Sequence, residues 1–132
     1  MTDESPARAW SARHPSTVAP RPDRFAHPSE EVFASLLSLY GLDWSYEPRE
    51  FPLAWDDDGQ TTRAFRPDFY VASADLYIEL TVLAQRAVSR KNRKVREFRA
   101  LYPDVALLVV YQRDFAALLE RHSLGDLTDY AA

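Results

Sequence analysis

The nearly unbroken run of apolar residues over 105–111 (VALLVVY) constrains the fold of this chain more than any other feature. Alternate side chains of a strand point to opposite faces of a sheet, so a strand without polar residues needs cover on both faces. We therefore predict that this segment is a central strand with other layers packed on either side of it. Such layers are typical of α/β folds.

The other periodic segments predict the order helix, three strands, helix, strand, helix. The helices show apolar residues at spacings of three and four, and the strands show alternation or a short apolar run between turn signals. The predicted elements are a helix over 28–40 ended by Gly41, strands over 44–51, 63–71 and 76–83, a helix over 84–101, the strand over 105–111, and a helix over 114–121 capped by Asp114.

The chain of 132 residues has the size of one domain. Residues 1–26 are rich in Pro, Ala, Arg and Ser, lack both periodicities, and are predicted to form a flexible arm. We expect the folded domain over 27–125 and a short tail over 126–132.

The absence of cysteine excludes disulfides and thiolate metal sites. The absence of a long apolar run or a secretory leader leads us to expect a cytoplasmic protein without membrane contact.

Two acids, Asp68 and Glu79, are expected to face each other across neighbouring strands. Asp68 lies opposite to an apolar strand face that includes Phe65, and Glu79 likewise lies on the polar face of its strand. A two-residue hairpin at Ser73-Ala74 sets the two acids opposite each other. Because carboxylates at this distance repel, this acid pair needs a cation, and Mg²⁺ or Mn²⁺ suits oxygen ligands. The alternative is an ordinary solvated strand face.

The predicted helix over 84–101 is strongly basic, although the whole chain has a formal net charge of -4. A negative chain is a poor partner for nucleic acid, but a local basic surface can supply the field that phosphates need. The alternative is a solvated helix face. The candidate nucleic-acid contacts are Arg86, Arg90, Arg93 and Lys94.

One lysine interrupts the apolar stripe of this helix. Val88 and Val95 recur at helical spacing, and Lys91 falls between them on the buried side. A lysine that faces a core needs an anionic partner, or its amine must extend along the surface to solvent. Lys91 lies in the first half of the helix, near the end of the strand that contains Glu79. Lys94 lies at the edge of the same face.

The segments FRPD (65–68) and IELT (78–81), with a tight turn between them, resemble the signature of the PD-(D/E)XK nuclease superfamily. The predicted order of elements is the core order of that superfamily, and the resemblance covers residues 28–121. Within it, HPSEEVFASLL, YEP, FRPDFYV, YIELT and KNRKVREFRALYP resemble a bacterial family of short proteins of this type. The resemblance implies a restriction-endonuclease-like α/β core, which is a central mixed four-stranded sheet flanked by helices, in the order α-β-β-β-α-β-α.

This resemblance implies a role for each matching residue. Asp68 and Glu79 correspond to the two acids that bind the metal ion, and the carbonyl oxygen of Leu80 completes the protein's ligands. Glu30 is similar to an acid that many members supply from the first helix. Glu31 is the other candidate for this acid. The alternative for Glu30 is an acid in the first turn that only interacts favourably with the helix dipole.

The chain departs from the superfamily motif at Thr81, where the motif has a lysine. Either the enzyme is inactive or the amine comes from elsewhere. Some members carry this lysine on the following helix, and Lys91 fits that role, with Lys94 as the second choice. Gln85 is similar to a glutamine near the active site of some members, although an exposed residue in the first turn of a helix is also ordinary.

The expected function is a Mg²⁺- or Mn²⁺-dependent nuclease that hydrolyses phosphodiester bonds, with DNA favoured over RNA and a homodimer as one arrangement. One alternative is a nucleic-acid-binding module without catalysis, for which Thr81 is the argument. Another is a protein-interaction subunit, which the net charge of -4 and the small size favour. The three histidines lack metal-ligand spacing, and no glycine-rich phosphate loop or Ser-His-Asp arrangement is present.

Overall fold

Six strands and three helices make up the part of the chain that the structure, a computed structural model, describes, namely residues 25–82 and 85–125. Side chains in the second range are described from residue 88 onward. The elements are α1 (Pro28–Leu39), β1 (Trp44–Tyr46), β2 (Phe51–Trp55), β3 (Thr61–Phe65), β4 (Phe69–Val71), a 3₁₀ turn (Ala72–Ala74), β5 (Leu76–Thr81), α2 (Gln85–Leu101), β6 (Ala106–Tyr111) and α3 (Gln112–Arg121). The predicted arm, up to residue 24, and the predicted tail lie outside the described residues.

Four strands form a mixed sheet in the order β1-β4-β5-β6. β4 pairs antiparallel with both β1 and β5, whereas β6 runs parallel to β5 after the crossover helix α2. The α/β class and the mixed four-stranded sheet flanked by helices are therefore confirmed. No helix in the described ranges is long and apolar enough to cross a membrane.

The strands predicted over 44–51 and 63–71 are each divided in two, which corrects the predicted element order. β2 and β3 leave the main sheet and form an antiparallel β2–β3 ribbon, closed by the predicted turn at Gly59. Pro67 accounts for the second break, because proline has no N–H to donate to a strand ladder. Asp68 therefore lies at the junction between the ribbon and the sheet, just before β4.

Separate hydrophobic clusters cover the two faces of the main sheet. On one face, α1 and α3 pack against the sheet through residues that include Phe33, Leu37, Phe69, Ile78, Leu80, Phe115 and Leu119. On the other face, α2 and the ribbon contribute to a cluster that includes Phe51, Phe65, Tyr77, Val95, Phe98 and Tyr102. Phe65 thus packs on the face opposite to the predicted one, because it belongs to the ribbon and not to the strand of Phe69.

β6 lies at an edge of the described sheet, and the prediction of a central strand was wrong. Val109 and Val110 are buried on opposite faces, whereas Leu108 is 48% exposed and Tyr111 39% exposed. The apolar run indicated cover on both faces, which the structure shows only in part. It did not indicate position in the sheet, because hydropathy reports the burial of side chains and not which strands pair.

Two boundaries also differ from the prediction. α3 begins at Gln112 with Tyr111 as its N-cap, and Asp114 is the third helical residue, whose Oδ2 accepts the N–H of Tyr111 at 3.1 Å. At the other end, Phe25 contacts the sheet although the arm was predicted to continue to residue 26. Its ring centroid lies 4.8 Å from that of Tyr46.

Candidate active site

Asp68 and Glu79 face each other, as predicted from the register. The connection itself differs from the predicted two-residue hairpin, since it is a 3₁₀ turn over Ala72–Ala74 followed by Asp75 in the left-handed region. Phe69 of β4 pairs with Ile78 of β5, and continuing this register by one residue sets Asp68 opposite Glu79. The N–H of Leu80 donates to Asp68 Oδ2 at 2.8 Å, which holds this carboxyl group against β5. The acid pair is therefore built by the β4–β5 hairpin alone.

Both carboxyl groups of the acid pair are buried, with exposed fractions of 7% for Asp68 and 3% for Glu79. Burial raises the pKa of Asp68 well above its usual value, and the charge of Glu79 raises it further, against the opposing effect of Lys91. Burial also raises the pKa of Glu79, again opposed by Lys91. Glu79 Oε1 has no hydrogen-bond partner among the described residues. Burial therefore opposes the charged form of both acids, and a further cation beside them would favour it.

The amine of Lys91 reaches the acid pair from α2. Its Nζ lies 2.8 Å from Glu79 Oε2 and donates to the carbonyl oxygen of Leu80 at 2.7 Å. Burial alone would lower the pKa of this amine, but the charges of Glu79 and Asp68 outweigh that effect and raise the pKa. The lysine that interrupts the apolar stripe is therefore an ammonium ion with an anionic partner, rather than a side chain extended to solvent.

An aromatic cluster holds α2 in the position that aims Lys91 at the acids. Phe98 is fully buried, and its ring centroid lies 4.9 Å from that of Phe51 and 5.1 Å from that of Phe65. The hydroxyl of Tyr102 donates to the carbonyl oxygen of Pro52 at 2.8 Å. These contacts fix α2 to the ribbon. Since Lys91 precedes Phe98 by two helical turns, it lies on the same side of the helix.

Glu30, at the start of α1, is the acid of that helix that turns toward the site. Its side chain is buried, whereas its rival Glu31 is exposed. The hydroxyl of Tyr46 donates to Glu30 Oε1 and accepts the N–H of Ala26. Burial and the hydrogen bond to Glu30 raise the pKa of Tyr46 above its usual range. Tyr46 was not among the predicted site residues, because a tyrosine in an aromatic strand indicates packing and not the partner of its hydroxyl.

The oxygen atoms around the acid pair suit a hard divalent cation. Among residues 25–82 and 85–125, no cluster of three or more histidine, aspartate or glutamate side chains forms a ready metal site. The ligands that the resemblance implies are the carboxylates of Asp68 and Glu79 with the carbonyl oxygen of Leu80, the oxygen types that Mg²⁺ and Mn²⁺ prefer. The ammonium group of Lys91 already bonds to two of these three residues, which shows that the place accepts a cation.

A cavity of about 460 Å³ opens onto the acid pair. The start of α1, the β3–β4 junction and the middle of α2 form its walls. The lining residues are Ala26, His27, Glu30, Glu50, Ala64, Phe65, Arg66, Asp68, Glu79, Lys91 and Lys94. Arg66 pairs with Glu50 at 2.8 Å on the wall. Lys94 Nζ donates to the carbonyl oxygen of Ala64 at 3.1 Å, so the second-choice lysine lines the cavity but bonds to the ribbon.

The predicted nucleic-acid contacts extend from this cavity along α2. Lys94 lines the cavity, Arg90 is exposed, and the side chain of Arg93 is 71% exposed. The side chains of Gln85 and Arg86, the remaining candidates on this helix, lie outside the described part of the chain. The basic face is thus continuous with the cavity at Lys94.

Thr81 occupies the position of the motif lysine and is fully buried. Its Oγ1 finds no hydrogen-bond partner among the residues that the structure describes. Thr81 does not line the cavity, whereas Lys91 and Lys94, the only lysines of the chain, both do. Any lysine amine at this site must therefore come from α2.

No family model, curated protein or solved structure matches this chain. The features that bear on function are the cavity, the charged residues that line it and the motif residues themselves.

Proposed function

We propose that this chain is a metal-dependent nuclease of the PD-(D/E)XK type, which hydrolyses phosphodiester bonds in nucleic acid, with DNA as the first candidate. The observation that carries the proposal is the meeting of three buried or half-buried charges at one cavity. Asp68 and Glu79 contribute carboxylates from the β4–β5 hairpin, and Lys91 contributes an ammonium from α2 at 2.8 Å from Glu79. This combination of acids and amine is the one that the superfamily motif implies.

Asp68, Glu79 and the carbonyl group of Leu80 would hold Mg²⁺ or Mn²⁺ in this proposal. Such an ion would polarise the scissile phosphate and lower the pKa of a water molecule. Asp68 is kept in place by the N–H of Leu80. Lys91 offsets negative charge on the phosphate. Lys94 and Arg66 line the cavity that opens onto the acids.

A purely structural explanation of the acid pair is less satisfactory. Burial opposes the charged form of both carboxyl groups, and Lys91 is the only ammonium bonded to them among the described residues, so ionising both groups reduces the stability of the fold. Groups that reduce the stability of a fold are typical of functional sites. A nuclease needs the buried acids to bind its metal ion, which explains why the loss of stability is tolerated. A module that only binds nucleic acid has no such need for them.

One observation favours the inactive binding module as the second candidate. Thr81 is buried at the position of the motif lysine, which leaves the reaction dependent on an amine from another element. Such a module would bind nucleic acid through the basic face of α2 without needing a divalent ion.

The decisive experiment is a cleavage assay on single-stranded DNA, double-stranded DNA and RNA with Mg²⁺, with Mn²⁺ and with EDTA. Asp68→Asn retains an oxygen that can accept the N–H of Leu80, and Glu79→Gln is its counterpart on β5. We expect metal-dependent cleavage that each variant reduces by more than about 100-fold, beyond the loss typical of residues that only support a metal ligand.

Asp57→Asn, on the exposed turn of the ribbon, is the matched control and should cut like the wild type. Full activity of Asp68→Asn would refute the assigned site. Binding that weakens with salt, without cleavage under any of these conditions, would support the inactive module instead.

A further inference from the structure

We propose that Lys91 is the resident counter-ion of the metal-free acid pair and that a divalent ion displaces its ammonium group when it binds. The amine is then free to contact a substrate phosphate. This inference rests on the proposed metal site and adds an exchange of cations to it. The amine of Lys91 then has two positions, one in the metal-free protein and one in the protein that has bound the metal ion.

The contacts of the amine are the first argument for displacement. Lys91 Nζ lies 2.8 Å from Glu79 Oε2 and 2.7 Å from the carbonyl oxygen of Leu80. Both acceptors belong to residues that would bind the metal ion. Both cations would use the carbonyl oxygen of Leu80 and the carboxyl group of Glu79, and two cations this close together in a buried site repel each other strongly. This repulsion would drive the amine away when the metal ion binds.

The local charge balance is the second argument. The cavity is lined by the acids Glu30, Glu50, Asp68 and Glu79 and by the basic residues Arg66, Lys91 and Lys94. Arg66 pairs with Glu50, and Lys94 bonds to the carbonyl oxygen of Ala64, so Lys91 is the cation left beside the other three carboxyl groups. In the absence of a metal ion, the amine is the only cation that bonds to the acid pair among the described residues. A divalent ion would supply this charge instead, and the electrostatic reason for the amine to remain would disappear.

Lys91 also has room to move. Its side chain is 26% exposed and lines the open cavity, and a lysine has a flexible four-carbon stem. The backbone of α2 can stay fixed, since Phe98 holds the helix against the ribbon. Movement of the side chain alone is therefore sufficient.

The first test uses the wild-type protein and the reactivity of its amines. Lys91 and Lys94 are the only lysines, so acylation by an amine-reactive ester can be followed at each by mass spectrometry. In EDTA we expect Lys91 to react more slowly than Lys94, because its amine is bonded to Glu79 and Leu80. Saturation with Mn²⁺ should accelerate Lys91 several-fold and leave Lys94 unchanged. An unchanged rate at Lys91 would overturn the displacement.

The second test measures Mn²⁺ binding by calorimetry in Lys91→Met, with Lys94→Met as the matched control. Without a competing ammonium, Lys91→Met should bind Mn²⁺ at least about tenfold more tightly, since the two cations are coupled reciprocally. Lys94→Met should bind like the wild type. The melting temperature of Lys91→Met should fall in EDTA and recover more with Mn²⁺ than that of the wild type.

The outcomes separate the two proposals. Equal or weaker Mn²⁺ affinity in folded Lys91→Met overturns the cation exchange and leaves the proposed nuclease in place. Absence of Mn²⁺ binding in both the wild type and the variant overturns the metal site, and the proposed function and the exchange with it. If Lys91→Met does not fold, the amine-reactivity test on the wild type decides the question by itself.

Discussion

Asp68 and Glu79 are buried carboxyl groups that depend on the single amine of Lys91 for charge compensation. Desolvation opposes the charged form of each acid, and their mutual repulsion adds to it. At the scale of the residue, the acid pair therefore lowers the stability of the metal-free fold when both groups are ionised.

The first residue-scale prediction is that Asp68→Asn stabilises the metal-free protein. The pKa of Asp68 is raised on folding, so the folded state takes up a proton more readily than the unfolded state, and stability falls as the pH rises through that interval. Asparagine removes this loss. We expect a gain of about 1 kcal/mol at neutral pH, which disappears as the pH falls below the ordinary aspartate pKa of about 3.9.

This gain can be measured from thermal unfolding in EDTA over a range of pH. Asp57→Asn should show no comparable change, because Asp57 is exposed. A less stable Asp68→Asn at neutral pH would mean that the hydrogen bond to Leu80 outweighs the charge effect.

A second prediction at this scale concerns Tyr46, whose hydroxyl donates to the buried carboxylate of Glu30. Tyr46→Phe leaves that carboxylate without this donor, and we expect a loss of about 1–3 kcal/mol in the free energy of unfolding, as for other hydrogen bonds to charged groups. Tyr40→Phe is the matched control, since the hydroxyl of Tyr40 bonds to His122 but the residue is 54% exposed. Urea denaturation of both variants gives the comparison. Similar losses would show that Glu30 does not depend on Tyr46.

At the scale of the element, α2 both packs against the ribbon and positions the amine of Lys91. Its apolar stripe packs on the ribbon and the sheet through Val95 and Phe98, with Tyr102 just beyond its end, and the same stripe contains Lys91 at the site. Among its described side chains, Arg90, Arg93 and Arg96 are exposed. The helix therefore positions the amine by means of hydrophobic packing several residues away.

The element-scale prediction is that α2 is anchored mainly by Phe98. This ring is fully buried among aromatic partners, and Phe98→Ala should lower the free energy of unfolding by about 3–5 kcal/mol, the usual cost of such a truncation. Arg96→Ala, on the exposed side of the same helix, should stay within about 0.5 kcal/mol of the wild type. Denaturation in urea measures both. A small loss in Phe98→Ala would show that the ribbon does not hold α2.

At the scale of the whole molecule, the charge distribution matters more than the total. The chain has a net charge of -4, yet the exposed residues Arg90 and Arg93 extend the basic face beyond Lys94 at the cavity. In the proposed function, this basic face would be the surface that binds nucleic acid on an acidic protein.

The salt dependence of binding tests this distribution. Each phosphate contact contributes about 0.9 to the slope of log affinity against log salt for duplex DNA, so the double variant Arg90→Gln/Arg93→Gln should reduce the slope by up to about 2. Fluorescence anisotropy in EDTA measures the slope without cleavage. Arg121→Gln, at the end of α3, should leave the slope unchanged. An equal reduction by both variants would locate the interface elsewhere.

The acid pair and Lys91 could be located from the sequence because local rules determine their geometry. The short connection between β4 and β5 is a 3₁₀ turn over Ala72–Ala74 and not the predicted two-residue hairpin, but it keeps the predicted register, and helical spacing places Lys91 on the buried face of α2. Both features depend on residues close together in the chain, where strand alternation and helical period leave little freedom.

Other features of the site depend on contacts between distant segments, and no local pattern indicates them. Tyr46 holds Glu30 across 16 residues, and Tyr102 bonds to Pro52 across 50. Such partners are selected by how the elements pack. From the sequence these tyrosines were interpreted as packing residues, and only the structure shows the hydrogen-bond partners of their hydroxyl groups.

Local patterns in the chain were sufficient for the α/β class, the facing acids and the lysine that compensates them, because hydrophobic periodicity and strand register act over a few residues. Long-range packing makes β2 and β3 a separate ribbon, sets Phe65 against α2 and leaves β6 at the edge of the described sheet. All strands offer the same backbone hydrogen-bonding groups, so these groups do not determine which strands pair. The packing of the whole chain determines the pairing, whereas apolar side chains indicate only that a face of the strand is buried.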